Sequence, residues 1–299
     1  YMVINIGSLT GRTVSYFVRT NFSLSFIFAV GAACSIIAFF VVLAKYTDPD
    51  KLAVASSAPA KPKRSVGRIL LDMVLVLRNL RFVLFLLVSS GFFFIYSQVY
   101  NILPLYLKKV LEADPPVDIY TMANPFVIVF FQLLITRKFG KLKPIVSIVV
   151  GIVIISVAML INLVPIFVGS GVRGSVADWI PIGSLFIVLT VALIAFGELF
   201  TSARSYEYIG ALAPKGQEGL FLGYANLPMA IGALVGGPAG AAIFNEIMCR
   251  GAVEVPLLDA AGNAMLDSKG APRVLLDLDP TYNAIGWLLL MGIGQPMAL

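Results

Sequence analysis

An all-α polytopic membrane protein is expected from three observations. Hydrophobic residues make up 59% of the 299 residues and charged residues 13%, where soluble domains carry about 25% charge. The mean hydropathy is +0.92. The apolar residues come in continuous runs close to the ~20 residues a helix needs to cross a bilayer. They do not alternate with polar residues as barrel strands would.

In chain order, spans are expected at Tyr1–Val18, Phe22–Ala44, Phe82–Leu107, Ile119–Thr136, Pro144–Val168, Pro181–Ala203, Gly219–Phe244 and Tyr282–Leu299. The chain opens on Tyr1 and closes on Leu299, both within apolar runs, and reads as a piece of a longer protein. Between the second and third spans lies a basic linker. Its centre, Ser56–Arg64, is small, Pro-bearing and cationic, so an extended or mobile segment is expected there. Arg68–Arg81 mixes Ile, Leu, Met and Val with basic residues, a composition suited to an interfacial helix.

Loop charge orients the spans. Loops 45–81, 137–143 and 204–218 lie on one side and carry fourteen Lys and Arg, whereas the alternate loops carry six. The positive-inside rule therefore puts the first set, including the linker at 45–81, in the cytoplasm and makes the protein multi-pass in the inner (plasma) membrane. The net charge of +6 is explained by this topology, so no nucleic-acid partner is expected. There is no His, and Cys34 and Cys249 have no metal-ligand spacing, so no metal or cofactor is expected. An enzyme is disfavoured too, since no span carries paired carboxylates or a nucleophile motif.

Glu198 stands apart. Of the 16 acidic residues it alone lies within an expected span, in the apolar run Leu193–Phe200. A carboxylate at membrane depth costs about 2.5–3.5 kcal/mol on insertion scales and usually marks an ion or substrate pathway; the bland alternative is a structural carboxylate paired with a cation on a neighbouring helix. Thr201 and Ser202, three and four residues on, share its face. Arg204, six residues on, points elsewhere and is expected to anchor the helix at the cytoplasmic edge. Asn5 and Asn124 are amides within spans, suited either to substrate or to an interhelical hydrogen bond. Asn124-Pro125 suggests a local helix irregularity. Gln98 and Asn101 share a face beside Tyr96 and Tyr100, with a pocket role or plain packing both open. Arg12 is costly inside a span; snorkelling to the edge is preferred to pairing with a substrate carboxylate. Gly7 and Gly11, and Gly232, Gly236 and Gly240, have the G-x-x-x-G spacing that lets helices approach closely, and Pro228 and Pro238 are candidate bends.

Several motifs carry a family resemblance. Tyr1-Met2-Val3-Ile4-Asn5-Ile6-Gly7-Ser8-Leu9, Asn124-Pro125-Phe126-Val127-Ile128, Phe196-Gly197-Glu198-Leu199 and Ala211-Leu212-Ala213-Pro214-Lys215 resemble, in order, signatures of the proton-dependent oligopeptide transporters, a branch of the major facilitator superfamily. Arg137-Lys138-Phe139-Gly140-Lys141 is similar to the superfamily's short basic loop. The resemblance implies spans five to twelve of a twelve-span fold built from two six-helix halves. Residues 1–44 would close the first bundle, 45–81 form the linker, and 82–299 form the second bundle. It further implies proton-coupled symport of di- or tripeptides or related small solutes by alternating access. Glu198 would be the proton-coupling residue, and Asn5, Gln98, Asn101, Asn124, Glu198 and Tyr224 would bind substrate. The partners would be a peptide or small-molecule substrate, protons and the lipid bilayer. The sequence departs from that pattern at Ser97, where the family has an acid, at Tyr224, where a Trp is common, and at Arg12, where an apolar residue or Pro is expected. A nucleoside, sugar or drug as cargo is the alternative, with a non-transporting sensor on the same fold behind it.

Overall fold

The computed structural model describes residues 2–47, 65–168, 171–174, 180–259, 261–267 and 269–294. The linker centre Ser56–Arg64 lies outside these residues. Helices occupy all eight expected spans: α1 (Met2–Asn21) and α2 (Leu24–Lys45), then, after α3 (Val66–Val76), α4 (Leu80–Leu111), α5 (Val117–Phe139), α6 (Pro144–Phe167), α7 (Ile182–Leu212), α8 (Glu218–Met248) and α9 (Pro280–Gly294). Six of them, α2 and α4 to α8, are long and apolar enough to cross a membrane. The protein is a multi-pass membrane protein.

Boundaries differ from expectation at the polar ends. α7 runs nine residues past Ala203, so Arg204 and Glu207 sit on its last turns instead of in a loop. The interfacial segment is shorter than expected: α3 ends at Val76, and a turn at 77–79 leads into α4. Each start is locally capped, as the Ser65 side chain accepts from Arg68 N (3.3 Å) and the Asn79 side chain from Phe82 N (3.2 Å). The chain is also not purely helical. Among the described residues, the loop before α9 carries β1 (Val253–Pro256) antiparallel to β2 (Val274–Asp277). Asp259 closes a turn there, accepting from the backbone of Ala261 and Asn263, and the bond from Asn263 above all holds its carboxyl below the usual range.

The core lies between α4, α6, α7, α8 and α9, around fully buried Phe82, Ile95, Ile155, Phe244 and Trp287. Small residues set its two tightest crossings. A Cβ on Gly236 would strike Ser97 and Gln98 of α4, and one on Gly232 would meet the Ser90 carbonyl. Gly151 of α6 and Gly197 of α7 oppose one another in the same way, each facing the other's carbonyl oxygen. Ser147 Oγ donates to the Phe200 carbonyl (2.8 Å) just beyond them. Gly197 is thus a packing residue that fixes the depth of its neighbour Glu198.

Helical regularity fails near the middle of the bundle. α4 breaks into turns at Gln98–Asn101, α5 at Met122 and α8 at 223–226, immediately before Pro228 at the start of its second half. Asn124-Pro125 therefore marks a break lying just ahead of it. Pro228 belongs to the break in α8, while Pro238 lies within a continuous helical stretch.

Candidate functional site

A cavity of about 630 Å³ lies between α4, α6, α7 and α8, with Ile4 of α1 at its margin. It occupies the half of the bundle toward Leu80, Leu212 and Glu218, the helix ends on the linker side. Its wall is mainly apolar and aromatic, with Phe85, Phe92, Phe93 and Tyr96 from α4 and Ile148 and Ile152 from α6. Polar atoms come mostly from α7, where Glu198, Thr201, Ser202 and Ser205 follow the helical repeat down one face.

Glu198 is buried at this wall. Its Oε2 accepts from Asn124 Nδ2 of α5 (3.2 Å) and its Oε1 from Ser202 Oγ (3.4 Å). Thr201 Oγ1 instead donates to the Glu198 backbone carbonyl (3.2 Å). The fold therefore joins Glu198 to Asn124, 74 residues apart, as a carboxylate held by amide and hydroxyl donors beside a partly open cavity. A carboxylate at a cavity wall, oriented by an amide and a hydroxyl donor, is a group that can bind an ammonium or a proton.

Of the six expected substrate residues only Glu198 lines the cavity; Asn124 reaches it only through its bond to Glu198, and the other four stand elsewhere. Asn5 is buried on α1, one residue after Ile4. Gln98 is fully buried and its Nε2 donates to the Phe94 carbonyl (2.9 Å) and, across the α8 seam, to the Gly236 carbonyl (3.1 Å). Asn101 is half-buried, near Gly237 of α8. Tyr224 donates to the Met73 carbonyl of α3 (2.8 Å) and packs edge-on against Phe82. The sequence reading missed Ser89, Ser205, Tyr206 and Asn226, which do line the cavity. Ser205 was recoverable, being seven residues after Glu198 on the same helical face; Asn226 was not, because it sits in the break of α8.

Two arginines behave differently from each other. Arg204 donates to Glu207 (2.6 Å) on its own helix and to the Gly140 carbonyl after α5, joining the ends of α5 and α7. Arg12 finds partners on two other helices. It donates to Thr121 of α5 and to the Tyr100 hydroxyl of α4 (3.1 Å), with its guanidinium 5.7 Å from the Tyr100 ring centre. One helical repeat further, Arg19 pairs with Asp118 at 3.0 Å. These contacts tie α1 to the bundle at the end away from the cavity mouth. Beside them, Glu112 accepts from Tyr120 (3.0 Å) and from Ser184, fastening the ends of α4, α5 and α7 together. Among the described residues no group of His, Cys, Asp and Glu is disposed to hold a metal ion.

The family model described as Major Facilitator Superfamily matches residues 1–176. Comparison with curated proteins gives no match. A crystal structure of the peptide transporter POT in complex with sulfate aligns with a TM-score of 0.51 at 14% identity, over 91% of this chain and 51% of that one. A POT family transporter in complex with 5-aminolevulinic acid gives 0.54 at 15% identity, over 99% and 66%. Another, with a thioalcohol conjugated peptide, gives 0.55 at 14%, again over 99% and 66%. At these identities the likeness is one of fold. The chain spans about half to two thirds of the length of these structures.

Proposed function

Because the chain belongs to the major facilitator superfamily, we propose that the intact protein is a secondary active transporter that couples proton movement to inward symport of small peptides or related amine-bearing solutes. Residues 1–44 then complete the first bundle, residues 45–81 are the cytoplasmic linker in the plasma membrane, and residues 82–299 are the second bundle. The observation that carries the reading is Glu198: a carboxylate inside a membrane helix, at the wall of a cavity, oriented by Asn124 and Ser202. Helix interiors rarely carry a carboxylate unless a pathway uses it. Glu198 takes up either a proton or the ammonium of the cargo, and the two bundles rock about the cavity to expose it to each side in turn. Asn124 and Ser202 hold the carboxylate against the cavity in both states. The fold likeness to POT family structures supports this reading.

Cargo other than peptide is a second reading, favoured by one position. Ser97, where the resembling family has an acid, spends its hydroxyl on the Phe94 carbonyl (2.7 Å) and packs at the Gly236 crossing. No carboxylate is available there for a peptide or a second proton.

The test is uptake by the full-length protein in liposomes with an imposed proton gradient. Dipeptide uptake that the gradient accelerates in wild type, and no longer accelerates in Glu198→Gln, is expected. Intact gradient-driven uptake in Glu198→Gln removes the coupling assignment. Uptake of a nucleoside, sugar or drug in place of dipeptide selects the second reading. Hydrolytic turnover without uptake rejects both.

A further inference from the structure

The amphipathic helix α3 has one face that the fold leaves uncovered. Val66, Leu70, Met73, Val74 and Leu77 are exposed along one side of the segment, and Leu71 and Leu75, also exposed, carry the apolar surface further round the helix. The opposite face carries Arg68 paired with Asp72 (3.4 Å), and the buried Val76 turns toward the bundle. The cations Arg68, Arg78 and Arg81 are exposed, and Asp72 is the only acid between residues 66 and 81. α3 joins α4, a membrane-spanning helix, through three residues. An apolar stripe flanked by arginines at the mouth of a span matches the acyl–headgroup boundary of a negatively charged leaflet.

α3 is also fastened to the cavity. Tyr224 Oη donates to the Met73 carbonyl (2.8 Å), while its ring stands edge-on to Phe82, which in turn packs on Phe221. Tyr224 lies in the break of α8, and the next two residues, Ala225 and Asn226, line the cavity. The Tyr224 side chain therefore links the surface helix directly to the irregular turn at the cavity wall.

We propose that α3 is a docking surface for anionic bilayer lipid, and that Tyr224 passes its docked position to the break of α8, so that leaflet charge sets how open the cavity is. The apolar stripe supplies lipid contact, the three arginines supply selectivity for negative headgroups, and the Tyr224–Met73 bond supplies the coupling.

Two readouts on the intact protein in liposomes test this, and neither requires any cargo to move. For docking, every Cys of the intact protein, Cys34 and Cys249 among them, is replaced by Ala and an environment-sensitive fluorophore is attached at Val74→Cys. In bilayers with about 30% anionic lipid, quenching by brominated acyl chains is expected to exceed that in zwitterionic bilayers. High salt, or Arg68→Gln with Arg78→Gln and Arg81→Gln, should abolish the difference, each lost cation weakening the docked state about fivefold. Equal quenching in both bilayers, or an anionic effect that survives loss of the three arginines, overturns the docking proposal. For coupling, the maleimide reaction rate of Asn226→Cys in the Cys-free background is followed as anionic lipid is added. A severalfold change with Tyr224 present, and none in Tyr224→Phe, is expected. The same change in Tyr224→Phe, or no change in either, overturns the coupling. The conservative loss of one hydroxyl leaves the ring packing on Phe82 in place, so the comparison does not depend on a misfolded variant.

Discussion

The two G-x-x-x-G faces of this chain have opposite fates. On α8, Gly232, Gly236 and Gly240 are buried, and α4 lies so close that a methyl group at any of them would collide with Ser90, Phe93, Ser97 or Gln98. On α1, Gly7 and Gly11 have nothing within 4 Å of where a Cβ would stand. The same contrast holds for whole helices. α4 has nine buried residues in its first eighteen, whereas α2 has none and α1 only Asn5 and Val18. Small-residue spacing states that a backbone can be approached closely. It does not name what approaches, because lipid tails and an apolar helix offer similar surroundings to an exposed side chain.

The largest expected effect comes from filling the two faces in turn. Gly236→Leu should lower the thermal stability of the purified protein by about 3 kcal/mol or more, since Ser97 and Gln98 sit where the new side chain must go and overpacking already costs ~1–3 kcal/mol in tolerant sites. Gly11→Ala meets nothing among the described residues and, in that part of the protein, should be neutral or gain up to about 1 kcal/mol from helix propensity; in the intact protein any loss it causes measures how closely the rest of the first bundle packs on α1. Comparable losses at both positions would break the contrast and reveal a surface packed on α1.

Next in size are the two amides that the sequence treats alike. Gln98 holds the α4–α8 seam by donating to the Gly236 carbonyl, whereas Asn124 donates to Glu198 at the cavity. Gln98→Leu should cost about 1–3 kcal/mol of stability, because buried carbonyls lose their donor. It should leave the KM for transported solute nearly unchanged. Asn124→Ala should show the reverse pattern, with KM or the gradient response altered about tenfold, since a hydrogen bond to a charged group is worth ~1.5–3 kcal/mol. A KM effect in Gln98→Leu equal to that in Asn124→Ala would return Gln98 to the cargo site.

These contrasts show what the sequence makes legible. Membrane spans are readable because a bilayer demands long apolar runs and internally satisfied backbones, and among the described residues each of the eight expected runs holds a helix. Glu198 with its neighbours Thr201 and Ser202 is readable for the same reason: a charge in an apolar run is conspicuous, and helical spacing then assigns a face. The reading failed where partner choice is tertiary. Tyr224 sits on an irregular turn, so no periodicity predicts that its hydroxyl reaches back 151 residues to Met73. Arg12 was expected to snorkel, and no periodicity predicts that Thr121 of α5 and the exposed Tyr100 of α4 supply its partners. The Gly151–Gly197 crossing escaped notice because each helix contributes one glycine and neither has a motif of its own.

The smallest expected effect lies where the two regions meet. α1 touches the bundle through Val18 and Asn5, through Arg12, and through the Arg19–Asp118 pair at 3.0 Å. Both charged side chains are about one third exposed, so the attraction works largely through water. A double-mutant cycle of Arg19→Ala and Asp118→Ala, read by thermal unfolding, should therefore give a coupling of only ~0.2–1 kcal/mol. That coupling should vanish in about 1 M salt, where the Debye length falls to ~3 Å. The single variants serve a second purpose, because Asp118 lies at the start of α5 and Arg12 reaches Thr121 on its next turn. If Asp118→Ala loosens α1 by far more than the coupling energy, Asp118 also orders the turn that presents Thr121 to Arg12, and the joint between the regions is one network. If the loss equals the coupling, the pair is an isolated surface contact, and the Arg12 bonds with apolar packing hold α1 in place.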